Sequence, residues 1–142
     1  MSPGNPKENR VKPVHQTEFS LRRGNCLQAS VASVLELSLD EVPNFMLDPD
    51  SLTASLDKFL SKFGLVSLTL HADQMSGWKP TGYHLMGGPS LRHAGDIWHS
   101  VVGLDGDIAF DPHPSGVGLC EVKDYTVFVA DMHRPSIYTK GE

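Results

Sequence analysis

Cysteine is scarce in this chain: Cys26 and Cys120 are the only two in 142 residues. They lie far apart, there is no CxxC pair, and no cysteine–histidine spacing matches a structural zinc site. That rules out a disulfide-rich scaffold. A single Cys26–Cys120 bond stays open as an alternative, one that a reducing compartment disfavours. Positive charge is also short. Twelve Lys and Arg against seventeen Asp and Glu give a net charge of −5, which leaves no basic footprint for nucleic acid. No apolar run approaches the roughly 20 residues of a membrane helix. There is no internal repeat and no low-complexity segment. Residues 1–13 are rich in Pro, Asn, Lys and Glu and carry no apolar stretch. The expectation is a flexible lead rather than a secretory signal, on a cytoplasmic protein without a membrane or nucleic-acid partner.

The composition that remains is that of an ordinary globular chain, 39% hydrophobic and 20% charged. One domain over residues 14–132 is expected, with a loosely held tail at 133–142. The chain is organised around Arg23–Leu37. Leu27, Val31, Val34 and Leu35 repeat at helical period, with Ala29, Ser30, Ala32 and Ser33 between them. A helix so rich in small residues can pack closely against a sheet. Asn25 suits the N-cap, which would place Cys26 in the first turn. Free N–H groups and the helix dipole favour an anion there and lower a thiol's pKa. Free cysteine is also a common core residue, so this stretch alone supports a structural reading too.

Further along, Leu39–Pro43 reads as a turn closed by proline. A second helix is expected from about residue 51 to 62, with Gly64 as its stop. Strands are expected over 65–71, 83–87 and 125–130. Gly87-Gly88-Pro89-Ser90 reads as a glycine-rich bend, without the glycine-lysine-serine/threonine ending of a phosphate loop. The clearest hairpin pairs residues 97–103 with 107–111 through Leu104-Asp105-Gly106. A three-residue loop would set His99 directly opposite Asp111. A two-residue Asp105-Gly106 turn would shift the pairing and put them on opposite faces. On this alternation Trp98 belongs to the core, and Cys120 is read as structural.

Cys26, His99 and Asp111 supply a nucleophile, a base and a group to orient the base. A nearby Gln16 amide, with the Cys26 N–H, can donate to an oxyanion. His93 and Arg92 are candidates to line a cleft, Trp78 to contact substrate, and His113 to shape a loop. A metal site built on His99, Asp111, His113 or His93 fits no recurring ligand spacing, and no cofactor is expected.

The sequence resembles the papain-like cysteine peptidase superfamily, and within it the small C39-like proteins of bacteria and their phages. The resemblance rests on Gln16-Thr17, Gly24-Asn25-Cys26-Leu27-Gln28-Ala29, Leu39–Pro43, Gly88-Pro89-Ser90, His99-Ser100-Val101-Val102 and Asp111-Pro112-His113-Pro114-Ser115-Gly116. These span roughly residues 14–120. The resemblance implies an α+β fold, with an N-terminal helix carrying the cysteine packed on an antiparallel sheet carrying His and Asp. It also implies Cys26 as nucleophile, His99 as general base, Asp111 as its orienter and Gln16 as oxyanion donor. The gap from Gln16 to Cys26 is longer than in papain itself. Gly88, Ser90, His93 and Trp78 are the expected substrate-contacting residues.

The expected function is a thiol hydrolase or acyl transferase acting on an amide or isopeptide bond of a peptide or protein, a host protein among the candidates. The alternative is a papain-like binding module without chemistry, for example a phage protein that binds a host factor.

Overall fold

The computed structural model describes residues 12–20, 23–93 and 97–133, with the backbone alone for His93. The expected lead and tail fall almost wholly outside them. The elements run α1 (Cys26–Leu35), α2 (Leu52–Leu60), β1 (Leu65–His71), β2 (Tyr83–Pro89), β3 (Trp98–Leu104), β4 (Asp107–Phe110) and β5 (Asp124–Ala130), with short 3₁₀ turns between them. The strands form one antiparallel sheet in the order β1-β5-β2-β3-β4. The protein is therefore α+β. Among the described residues, no helix is long and apolar enough to cross a membrane.

The helices cover one face of this sheet. Val31, Ala32, Phe45, Leu56, Phe59, Leu60 and Leu85 form the main core there. Along α1 the small residues go deepest: Ala29, Ser30, Val31, Ala32 and Ser33 are all fully buried. Leu27, Val34 and Leu35 are only partly covered. Small side chains let the helix axis approach β3 closely, and the Ser30 hydroxyl donates to Ser100 O (3.4 Å). On the opposite face, Met86, Val101, Leu119 and Tyr125 form a second cluster, packed by Ala72, Met75 and Val122 from loops.

Three expectations are corrected. First, the glycine-rich bend is a strand: β2 runs through Gly87 and Gly88 to Pro89, which pairs with Trp98. The glycines serve close approach rather than turning. A Cβ on Gly88 would run into the carbonyl of Glu121, and one on Gly87 would lie 2.6 Å from Asp124 Oδ1 and 3.0 Å from the Trp98 indole. Second, Trp98 is not core. It is 54% exposed, because β3 begins beyond the cover of the helices.

The third correction concerns the hairpin. Its turn is the two-residue one: Leu104 pairs with Asp107 and Gly103 with Ile108. Asp105 and Gly106 both have positive φ, 52° and 90°, as the favoured hairpin turns require. A bulge between Val102 and Gly103 then shifts the register, so that Val102 pairs with Phe110. One extra residue on β4 restores the parity that the short turn had changed. Continuing from Val102 and Phe110, Asp111 comes onto the face of His99, one diagonal step away. The bulge thus restores the shared face that a three-residue loop would have given, with a diagonal rather than a direct pairing.

Candidate active site

β4 pairs only with the second half of β3. The first turn of α1 takes its place along the rest of that edge. The carbonyl of Ser100 accepts from Ser30, and the Ser100 N–H points to Cys26. N–H and C=O of one strand residue leave the same side, so this edge of β3 is satisfied by a helix rather than a strand. The consequence is that Cys26 sits beside His99.

His99 is 2% exposed, and its Nε2 lies 2.7 Å from Asp111 Oδ1. Asp111 Oδ1 also accepts from the His113 N–H (2.9 Å), and Oδ2 from the Gly118 N–H (2.8 Å). The carboxylate is therefore held at both oxygens. With Nε2 engaged, Nδ1 is the nitrogen left to face the thiol, and His99 and Cys26 each stabilise the other's charge.

Burial is the strongest influence on all three groups, and it opposes each charge. It is outweighed each time. The His99 hydrogen bond and charge, with the N–H groups of Ser100 and Leu27, bring the Cys26 thiol below its ordinary 9.0. Acceptance of its protons by Asp111 and Cys26, then their charges, raises His99 from 6.5 to about 9. His99 and the N–H groups of His113 and Gly118 keep Asp111 below 3.8. The arrangement favours thiolate, imidazolium and carboxylate in a line.

Asn25 does not cap α1 with its side chain. Its Oδ1 accepts from the N–H groups of Thr17 (2.9 Å) and Glu18 (2.8 Å), and its Nδ2 donates to Thr17 Oγ1 and Gln28 Oε1. The Asn25 N–H donates to Glu18 O (3.2 Å), and the Gln16 N–H to Pro112 O (3.0 Å). The long gap between Gln16 and Cys26 is therefore a loop tied shut at its ends. Gln16 is buried and lines the same cleft as Cys26. Its Nε2 donates to Glu18 O (3.0 Å), while its buried Oε1 has no partner.

The cleft measures about 490 Å³ and is mostly apolar, with Cys26, Gln16, Leu27, Leu56, Trp98 and His99 in its walls. Its size suits a peptide segment or a small molecule. Arg92 also lines it. Of the residues expected to contact substrate, Gly88 and Ser90 are buried in β2 and its bridge to Leu119. Trp78 is 55% exposed in a turn away from the cleft. The His93 side chain lies outside the described residues. His113 shapes its loop: its Nδ1 meets Ser115 Oγ (2.8 Å) and its ring packs edge-on against Phe19. Cys120 is exposed rather than structural core, and both cysteines are free. No three His, Cys, Asp or Glu residues among those described gather as metal ligands.

Sequence reasoning missed the Asn25 clamp, and it missed Asp124 and Gly87 on the cleft floor. The Asp-Pro-His-Pro segment did carry a signal, since an Asp before proline commonly binds N–H groups two residues on. Comparisons of the chain with protein-family models, curated proteins and solved structures found no match.

Proposed function

We propose that this protein is a papain-like thiol hydrolase or acyl transferase acting on an amide or isopeptide bond. The carrying observation is the buried His99 held by Asp111 at 2.7 Å beside Cys26 in one cleft, an arrangement that lowers the thiol's pKa. The Cys26 thiolate attacks the acyl carbon, and a C–S bond forms. The oxyanion is received by the N–H groups at the start of α1 and by the second proton of the Gln16 amide. Collapse breaks the C–N bond, and the leaving amine takes the proton from His99 Nδ1. A thioester on Cys26 remains. Neutral His99 then takes a proton from water, or from an acceptor amine, as that nucleophile displaces the thiolate. Asp111 holds the ring orientation throughout.

The test uses p-nitrophenyl acetate as acyl donor. Intact mass should show an acetyl adduct on Cys26 that forms and then disappears with turnover, and that is lost in Cys26→Ala. In His99→Ala, release of p-nitrophenol should fall by at least about a hundredfold. A wild-type thiol that acetylates no faster than a free cysteine, and holds no adduct, would leave the non-catalytic binding module as the reading.

A further inference from the structure

The floor of the cleft carries a carboxylate that the chemistry at Cys26 does not use. In the register of the sheet, Ser100 pairs with Gly87 and Gly87 with Asp124, so the three stand in one row across β3, β2 and β5. Paired residues share a face, and all three line the cleft. Ser100 is the residue whose N–H supports the Cys26 thiol. Two strand spacings place Asp124 about 10 Å from it.

Asp124 is half-buried, and burial pushes its carboxyl up from 3.8. Its cross-strand neighbour His71 is exposed and attracts it weakly, but no ion pair within 4 Å forms between them. Lys123, next in sequence, pairs with Glu121 instead (2.8 Å). No hydrogen bond to the Asp124 side chain forms among the described residues. A partly desolvated carboxylate without a protein donor gains from a partner that supplies one. Gly87 lets the Asp124 carboxylate and the Trp98 indole come together over the strand, because a Cβ there would press on both. A half-exposed indole next to a carboxylate is an apt site for the stem and charge of a cationic side chain.

We propose that Asp124 is the specificity residue of this cleft and receives the cationic side chain, lysine or arginine in type, of a peptide whose scissile carbonyl lies at Cys26. The inference rests on the thiol-hydrolase reading for the position of the scissile bond. The carboxylate meets the ammonium or guanidinium, the Trp98 ring flanks it, and the apolar walls hold the side-chain stem. The reach is right: a side chain of this length covers about 6 Å, and one residue of extended peptide about 3.3 Å. The chain's net charge of −5 favours the same class of partner.

The experiment compares acetyl-dipeptidyl chloromethyl ketones carrying lysine, norleucine or glutamate at either of the two positions before the reacting carbon. The Cys26 sulfur displaces chloride, and intact mass follows the rate. At the better position, the lysine reagent should react about tenfold faster than the norleucine reagent in wild type, as a charge-assisted hydrogen bond allows. That ratio should fall to near one in Asp124→Asn and in Gly87→Ala. Labelling by iodoacetamide, which carries no side chain, should be unchanged in Asp124→Asn. Asp124→Asn should melt no lower than wild type, since it removes an unpaired carboxylate. A ratio near one in wild type, or one that survives Asp124→Asn, would overturn the proposal. So would a lower melting temperature of Asp124→Asn, which would assign the carboxylate a structural partner. Preference for the glutamate reagent would overturn it in favour of Arg92.

Failure of the thiol-hydrolase reading would show separately, as ordinary iodoacetamide labelling in wild type. Asp124 would then be tested with the corresponding unreactive peptide amides, by Trp98 fluorescence in a Trp78→Phe background. The same lysine preference, lost in Asp124→Asn, would support a basic-peptide site, and its absence would overturn it.

Discussion

α1 and α2 are nearly equal in length, ten and nine residues, and both bury one side against the same sheet. Their N-termini are treated in opposite ways. Ser51 caps α2, its Oγ accepting from the Ala54 N–H (3.2 Å). Asn25 stands at the equivalent place on α1 but turns its side chain back to the 17–18 segment. The first N–H groups of α1 are left for an anion, and the residue that would have capped them orders the loop beside Cys26 instead. Helix starts of one sequence type thus keep a side-chain cap at one site and leave the N–H groups uncapped beside a cysteine at the other. Capping residues read from sequence mark where a helix begins, not what its first N–H groups bind.

Substitutions should separate the two roles. The largest effect is expected at Asp111→Asn, which removes the charge from all three N–H donors' acceptor and leaves at least one of them with no acceptor. Loss of about 1–3 kcal/mol by urea unfolding at pH 7 is expected, together with slower Cys26 labelling. Its pH dependence has a definite sign. Asp111 is held below 3.8 in the folded protein. Its contribution is therefore complete above pH 3.8 and lost as pH falls through its lowered value. Asp111→Asn should flatten the acid limb of the pH–stability curve, which a titration of melting temperature will read.

Next comes Asn25→Ala. It removes four hydrogen bonds that tie the 17–18 segment and Gln28 to the start of α1. About 1–2 kcal/mol should be lost, and hydrogen exchange at Thr17 and Glu18 should quicken. Acyl transfer by Cys26 should slow as Gln16 loses its anchor. The smallest effect is expected at Ser51→Ala, about 1 kcal/mol in denaturant unfolding. There the rate of Cys26 labelling should not change. If Ser51→Ala slowed labelling as much as Asn25→Ala, the two helix starts would not differ in role.

Much of the sheet was legible in advance. β1 and β5 have the alternating, β-branched character that marks strands, and their expected bounds differ from the observed ones by at most one residue. The pairing of β5 between β1 and β2 was not legible, because it joins segments far apart in the chain and no local turn announces it. Asp124 therefore came to the cleft floor unseen. His99 and Asp111 were expected to meet, and they do so at 2.7 Å, but by a different route. The local Asp105-Gly106 turn signal favoured one register, and packing after the bulge restored the other. Gly87 and Gly88 misled for a physical reason: a glycine placed for close approach carries the same letter as one placed for a turn. Trp98 misled because alternation gives the face of a strand but not how far the covering helices extend along it.

The most direct measurement of the central claim is the rate of Cys26 alkylation by iodoacetamide against pH, with wild type and His99→Ala side by side and the label located by mass. A thiolate held by His99 should label rapidly well below pH 8, with a midpoint under the ordinary 9.0. His99→Ala should move that midpoint up and slow labelling at pH 6 roughly tenfold for each unit moved. A wild-type profile that follows an ordinary thiol and ignores the loss of His99 would contradict the account.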